Sequence, residues 1–397
     1  MLDKIKPVTL DVLSTFLERK EALPIYNKIV NTISGTTIYE STKLELDGKS
    51  NLYCIYDFPG YLKGITNSKK WKLKVINVYK GSLILLKNYK NTDDYLKHKF
   101  SSDRRSKFRT YQKRLETCFN IEYKSYYGKI DKDEYELLFE SFHEMIKKRF
   151  QEKKIKNYDL TRWQVYYDIA YPLIKNKDAV LFVIFNNKKP ISICLNFVRN
   201  QTIYGYLRTY DVDYSKFYLG FTDFIKQLDW CFENNIEIFD LLKGSYPYKL
   251  RLIDSQYNFQ QHILYNSTSV LSTISASFIT TKTKAFYGLV RVLKKVKINK
   301  LYYKYINYKY RNKELNNNNE DHLKEVTITN NVQINLSDEL EYIDINEASK
   351  NFPKRLIFNF LYSSKEHFQN IKLFKYKNDA NSYLIVGKKK NQKVTLL

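Results

Sequence analysis

The stretch Tyr204–Leu252, YGYLRTYDVDYSKFYLGFTDFIKQLDWCFENNIEIFDLLKGSYPYKLRL, decides the reading of this chain. An alternating run ends in Tyr210-Asp211, and a polar loop follows. Gly220 then opens an amphipathic segment with helical spacing from Phe221 to Glu233, and a short strand pattern runs from Ile236 to Leu241. The turn after it carries Lys243, Gly244, Pro247 and Lys249, with Arg251 close behind. A strand that feeds a helix N-terminus through a glycine is a ready anion site, because free N–H groups and the positive dipole end point into the loop. This segment is therefore the expected seat of chemistry.

The order of these elements resembles the GNAT-like acyltransferases of the cellulose-biosynthesis CelD-like type, distant relatives of the Fem-type peptidoglycan aminoacyltransferases. The residues that carry the resemblance are Tyr210-Asp211, Leu219-Gly220, Asp240-Leu241-Leu242-Lys243-Gly244 and Tyr248-Lys249. A basic run at Ser101–Glu116 resembles the helix that opens that family's domain. The likeness spans roughly residues 95–254, and Leu219 stands where the family usually has proline. The fold it implies is α/β (α+β): a twinned GNAT-like fold with mixed central sheets flanked by helices. A basic helix and a small C-terminal α+β segment are expected in addition. The implied divisions are 1–95, a degenerate first half; 96–265, the acyltransferase half; 266–315, the basic helical segment; and 316–397, a linker and small terminal segment.

The flanking patterns agree with that frame. Helical spacing is read at Ser102–Cys118, Asp133–Phe150 and Leu160–Ile174. Strand patterns follow at Ala179–Phe185, Ile191–Val198 and Ile203–Tyr210, with tight polar turns at 188–190 and 199–201, which predicts an antiparallel meander. Nearer the start, strand-like runs lie at Thr37–Tyr39, Leu52–Asp57, Leu73–Tyr79 and Leu83–Leu86, with turns expected at Phe58-Pro59-Gly60 and Lys80-Gly81. Near the end, short strands are read at Val326–Ile328 and Tyr383–Gly387 and a helix near Phe352–Leu361.

With 43% hydrophobic residues in 397, the chain can build real cores. Its net charge of +25 partly reflects a Lys- and Asn-rich usage typical of AT-rich coding, so local clusters matter more than the total. Two stand out. Lys99–Arg114 holds seven Lys/Arg and one acid, and Lys282–Lys313 holds eleven Lys/Arg and no acid. Both suit phosphates, anionic lipid or nucleic acid. Within 283–311, Leu289, Val292, Leu293 and Val296 repeat at helical spacing against Arg291, Lys294, Lys295 and Lys297, with tyrosines interleaved beyond. That pattern suits an anionic membrane surface.

Several chemistries lack their motifs. No G-x-G pair, P-loop or G-x-S-x-G elbow occurs, and His143-Glu144 has Lys147 where a zincin would place its second histidine. No metal is expected. Cys54, Cys118, Cys194 and Cys231 sit in apolar contexts without C-x-x-C spacing, which points to small buried hydrophobes and a reducing compartment. Acids interrupt the apolar part of the N-terminus, and no run of about 18 apolar residues exists. A cytoplasmic address is expected, peripheral to the cell membrane at its inner face.

The resemblance implies transfer of an acyl group from acyl-CoA, acetyl-CoA first among donors, to an amine or hydroxyl of a phosphorylated or acidic envelope or polysaccharide acceptor. Gly220, Phe221 and Thr222 are the expected cradle for the CoA pyrophosphate. Asp211 is the candidate to take the acceptor's proton and Tyr210 to return one to the leaving thiolate. Lys249 is placed to meet a phosphate or developing charge, and Asp240 to anchor its turn. Arg104, Arg105, Arg109, Tyr206 and Arg208 are candidate substrate contacts, Arg105 and Arg109 as an i,i+4 clamp. Strand alternation puts Tyr204, Tyr206 and Arg208 on one face. Two other readings stay open: a Fem-type transferase using aminoacyl-tRNA, and a basic protein that binds nucleic acid or membrane on a GNAT-like scaffold without catalysis.

Overall fold

The computed structural model describes residues 7–21, 23, 25–41, 50–153, 155–244, 247–296, 305, 308, 326–333, 339–345 and 352–396. The polar linker read at 316–320 and part of the basic segment, including Tyr302, Tyr303 and Tyr310, lie outside the described residues. The first half supplies β1 (Val8–Asp11), β2 (Lys28–Asn31), β3 (Thr37–Glu40), β4 (Leu52–Pro59), β5 (Leu62–Ile65) and β6 (Trp71–Leu85). Then come α1 (Thr92–Lys99), α2 (Ser102–Cys118), β7 (Ile121–Tyr126), α3 (Lys132–Glu152) and α4 (Trp163–Lys175). Next are β8 (Ala179–Asn186), β9 (Lys189–Arg199), β10 (Thr202–Tyr210), a 3-10 turn (Val212–Phe217), α5 (Leu219–Glu233) and β11 (Ile238–Lys243). The single turn α6 (Pro247–Leu250) leads into β12 (Ser255–Asn266) and α7 (Val270–Lys295). The last elements are β13 (Val326–Asn330), β14 (Leu340–Ile343), α8 (Lys354–Ser364), β15 (Lys372–Tyr376), β16 (Asp379–Val386) and β17 (Asn391–Leu396).

Among the described residues, nine strands join in one mixed α/β sheet in the order β1-β4-β12-β6-β11-β10-β9-β8-β7. β8 to β10 form the antiparallel meander that the sequence predicts, and β7, unread in the sequence, adds to its outer edge. Its tight turns use left-handed Asn187 and Asn200, a conformation asparagine tolerates better than most side chains. β8 and β9 are buried almost throughout, as strands covered on both faces must be. Neighbouring residues of β10 show the two covers. Tyr204 enters the cluster that contains α3 and α4 side chains, whereas Ile203 enters the one formed with α1, α2 and α5. β2, β3 and β5 make a small sheet whose Ile29 and Leu62, with Tyr26 just ahead of β2, join the α3/α4 side. β13 to β17 make a five-stranded antiparallel sheet, and α8 beside it packs against Phe119, Tyr214 and Phe217 next to the 3-10 turn.

Two features depart from the sequence reading. β12, which follows the β7–β11 segment, inserts between β4 and β6 of the first half and so ties that half to the rest of the nine-stranded sheet. Lys80-Gly81 is no turn: both lie inside the continuous strand β6. Gly81 pairs directly with Tyr257, and a Cβ on Gly81 would fall within the Tyr257 ring. The glycine marks a close cross-strand approach rather than a bend. Tyr257 cannot yield, because its hydroxyl is held by the Asp240 carboxylate at 3.0 and 2.8 Å. Gly81→Ala is therefore expected to cost about 2 kcal/mol by overpacking, read as a lower urea midpoint at unchanged slope.

Candidate active site

β10 and β11 run parallel, but their pairing covers only Thr202↔Ile238, Ile203↔Phe239 and Tyr204↔Asp240. Beyond Tyr204 both strands continue while the ladder between them ends, so the sheet opens as a wedge. Two local devices hold it open. On β10 the register with β9 shifts between Gly205 and Leu207, which makes Tyr206 an extra, bulged residue. On β11 the register with β6 shifts between Asp240 and Lys243, around a left-handed Leu242. The Asp240 carboxylate accepts from the Leu242 N–H at 2.8 Å and from the hydroxyls of Tyr61 (2.8 Å) and Tyr257. Burial pushes that carboxyl up to about 6, against the pull of these donors and of Lys249.

The bulge also corrects the face assignment on β10. Tyr206 donates from its hydroxyl to Glu18 and packs edge-on against Tyr166 and Phe197, on the α3/α4 side. Arg208 turns the other way, toward α5. Its guanidinium donates to the Gly220 carbonyl and pairs with Asp223 at 3.0 Å. Simple alternation fails here because the extra residue shifts the phase by one.

Asp223 is the centre of a buried network beneath the start of α5. Besides Arg208 it accepts from Gln227 Nε2 at 2.8 Å and from the Cys194 thiol at 3.0 Å, and Gln227 in turn accepts from Asn196 Nδ2 at 2.8 Å. Burial pushes the Asp223 carboxyl above its ordinary range, and Arg208 is the leading influence that opposes this. The helix it supports begins at Leu219, one residue before Gly220. Tyr218, just ahead, is left-handed, which ordinarily favours glycine. Its ring stacks on Tyr111 of α2 at 4.2 Å, and Phe221 stacks on Phe108 at 4.3 Å. These two stacks clamp the first turn of α5 to α2, and a glycine's freedom is replaced by aromatic packing. The Phe221 N–H is taken by the Tyr218 carbonyl at 2.8 Å, and Leu219 and Thr222 are buried. The backbone of the turn, not its side chains, faces outward at Gly220.

The sequence-predicted residues therefore fall into three groups. Arg208, Gly220, Phe221 and Thr222 come together at the wedge, and the Tyr210 ring lies 3.7 Å from where a Gly220 Cβ would stand. Lys249 sits at the end of β11, donating to the carbonyls of Leu241 (2.7 Å) and Lys243 (2.8 Å). Burial draws its ammonium down to about 8, although Asp240 pulls it back up. Ser245 and Tyr246, in the same turn, lie outside the described residues. Asp211 faces away: it caps the 3-10 turn by accepting from the Asp213 N–H at 3.1 Å, and it lies 3.9 and 3.7 Å from Lys148 and Lys189. On α2, Arg105 donates to the Phe100 carbonyl at 2.6 Å while Arg109 is exposed, so the two do not form a clamp. Arg104 is exposed on the Tyr111 side of the helix; burial raises that tyrosine's hydroxyl above its ordinary value, and the Arg104 charge opposes the shift.

Three residues escaped the sequence reading. Arg149 of α3 lies over the Tyr210 ring at 4.4 Å and donates to the Arg208 carbonyl at 3.3 Å. Buried Glu18 joins Arg162 (2.5 Å) and Tyr206 on the α3/α4 side of the sheet. No local pattern announces them, because their partners lie 59, 144 and 188 residues away. Among the described residues, no group of three His, Cys, Asp or Glu could hold a metal ion, and no helix is long and apolar enough to cross a membrane.

The chain is similar to solved structures at low identity. FemX matches with a TM-score of 0.40 and 12% identity, covering 58% of this chain and 75% of that one. The L-PGS structure from Bacillus licheniformis matches with a TM-score of 0.36 and 12% identity, covering 61% and 76%. The PaiA N-acetyltransferase from Thermoplasma acidophilum in complex with coenzyme A matches with a TM-score of 0.24 and 14% identity, covering 29% and 74%. No curated protein matches the chain. Residues 102–250, which carry the wedge and the helix at its mouth, match the family model for the acetyltransferase (GNAT) domain.

Proposed function

We propose that this protein transfers an acyl group from acyl-CoA, acetyl-CoA first, to an amine or hydroxyl of a phosphorylated or otherwise acidic acceptor of the envelope or polysaccharide kind. The observation that carries this reading is the parallel pair β10/β11 that parts after Tyr204↔Asp240, with the α5 N-terminus at its mouth, in a segment that matches a GNAT domain.

Acyl transfer needs a donor held rigidly and hydrogen-bond donors aimed at the charge that develops on the carbonyl oxygen. A parted strand pair leaves backbone N–H and C=O groups of both strands without each other, which suits the amide-bearing arm of CoA. The first-turn N–H groups of α5 at Leu219 and Gly220 have no partner within the helix and suit its pyrophosphate. Arg104 adds an exposed positive charge on the same side. Tyr210 is assigned the return of a proton to the leaving thiolate. Lys249, drawn down to about 8, is partly neutral near physiological pH and is assigned to receive the acceptor's proton or to meet its negative charge. Asp211 is assigned a positioning role, because its carboxylate already caps the loop that leads to α5. We also propose that residues 1–95 are the degenerate half of a twin whose working half is 96–265.

Gly220→Val tests the donor site. A Cβ there meets Arg208 Nη2 at 3.6 Å and Tyr210 Cε1 at 3.7 Å, ordinary contacts that the fold accommodates. The branched side chain stands where the pyrophosphate approaches. Calorimetric titration with acetyl-CoA is expected to show saturable binding by the wild type and at least about tenfold weaker binding by Gly220→Val, at unchanged thermal stability. Absence of acetyl-CoA and CoA binding in the wild type, together with tRNA binding that falls steeply with salt, would instead support the Fem-type alternative.

A further inference from the structure

We propose that α7 is an interfacial helix that seats the protein on an anionic lipid bilayer by the face opposite its own sheet. The reading does not depend on acyl transfer.

One side of α7 is committed to the fold. Ser272 and Ala276 are buried, Ile279 packs against Leu52, Cys54 and Ile263, and Ser272 donates to the Asn51 carbonyl at 2.5 Å. Ser277 receives a hydrogen bond from Lys74 at 2.7 Å. The other side is apolar and open. Leu271, Ile274, Phe278, Leu289 and Val292 are 40 to 69% exposed, and Val296 at the helix end is 60% exposed. At 3.6 residues per turn these six positions fall within a sector of about 60°, on the far side of the helix axis from Ser272 and Ala276. The stripe thus begins at Leu271, well before the 283–311 segment that the sequence pattern marks.

Charge selects the occupant. From Ser255 to Lys313 there is no Asp or Glu, while Lys282, Lys284, Arg291, Lys294 and Lys295 all lie on or beside the described helix. A second copy would cover the apolar stripe but bring no acid in this segment to meet the cations. A nucleic acid would meet the cations but leave the stripe in water. An anionic bilayer satisfies both, with the stripe among acyl chains and the cations at the headgroups. The helix also borders the proposed site: the Tyr287 ring lies 6.4 Å from Tyr79, and Lys243 at the end of β11 sits 5.5 Å over that same Tyr79 ring. Seating α7 on a bilayer brings the wedge close to acceptors held at that surface.

The test is co-sedimentation of the full-length protein with unilamellar vesicles of phosphatidylcholine alone or mixed with phosphatidylglycerol. Two multiple variants are compared with the wild type: Ile274→Ser/Phe278→Ser/Leu289→Ser/Val292→Ser, and Lys282→Gln/Lys284→Gln/Arg291→Gln/Lys294→Gln/Lys295→Gln. Every substituted side chain in the serine set is exposed, and circular dichroism melting checks that both variants fold. The expected result is binding to phosphatidylglycerol vesicles that weakens at least about tenfold in each variant, with salt sensitivity retained by the serine variant and lost by the glutamine variant. Three outcomes would overturn the proposal. They are no wild-type binding to phosphatidylglycerol vesicles, equal binding by the serine variant, and a wild-type dimer that the serine variant converts to monomer without any vesicle binding.

Discussion

Arg208→Ala is expected to destabilise the protein by about 3 kcal/mol and to abolish measurable acetyl-CoA binding. Removing one member of a buried ion pair leaves the other charge without compensation, which typically costs several kcal/mol. The lower end applies here because the Arg208 side chain is 33% exposed, whereas Asp223 is 2% exposed. The loss extends beyond the pair. Arg208 also donates to the Gly220 carbonyl, so the first turn of α5 loses the tie that sets its height over the wedge. Asp223→Asn in the Arg208→Ala background removes the stranded charge and is expected to restore more than half of the lost stability. Donor binding is expected to stay lost, because the tie to Gly220 is still missing. Urea unfolding and calorimetry on the two variants separate the effects. Recovery of binding in the double variant would show that Arg208 acts only by neutralising Asp223.

Asp240→Ala is expected to be comparably severe, on the order of 4 kcal/mol, because the buried hydroxyls of Tyr61 and Tyr257 and the N–H of Leu242 lose their shared acceptor. Its pH dependence has a definite sign. Burial raises the folded-state pKa from 3.8 to about 6, so the native state holds a proton that the unfolded chain has already released. Stability from this group is therefore fully present below the unfolded value and is lost as pH rises through about 6. Relative to Asp240→Asn, the wild type is expected to lose on the order of 3 kcal/mol between about pH 4 and about pH 7. A flat difference over that window would mean that the carboxylate is charged throughout and that its three donors outweigh its burial.

Much of the segment from α2 to β11 is legible in sequence because its order is local. α2 spans Ser102–Cys118, the bounds its spacing predicts, and the β8–β10 meander follows from two short polar turns between apolar runs. The glycine in the first turn of α5 and the Asp240 turn are likewise local signals. What the sequence hides is long-range. Gly81 looks like a turn until Tyr257, 176 residues away, is seen across it. β12 reads as nothing in particular, yet it inserts between β4 and β6, about 200 residues earlier in the chain. The bulge at Tyr206 inserts one residue into an alternating strand and reverses the face of Arg208, a shift that no periodicity at Tyr204–Tyr210 records. The Arg105/Arg109 clamp has the right helical spacing, but Arg105 is taken by the Phe100 carbonyl. The start of α7 escapes notice because serines and threonines break its pattern before Lys282.

Amide hydrogen exchange with and without saturating CoA tests the central claim most directly. CoA is expected to slow exchange at the first turn of α5, Leu219–Thr222, and along the parted edges of β10 and β11, while leaving β13 to β17 unchanged. Protection confined to the C-terminal sheet or to the α2 surface, with none at Leu219–Thr222, would contradict the placement of the donor at the wedge.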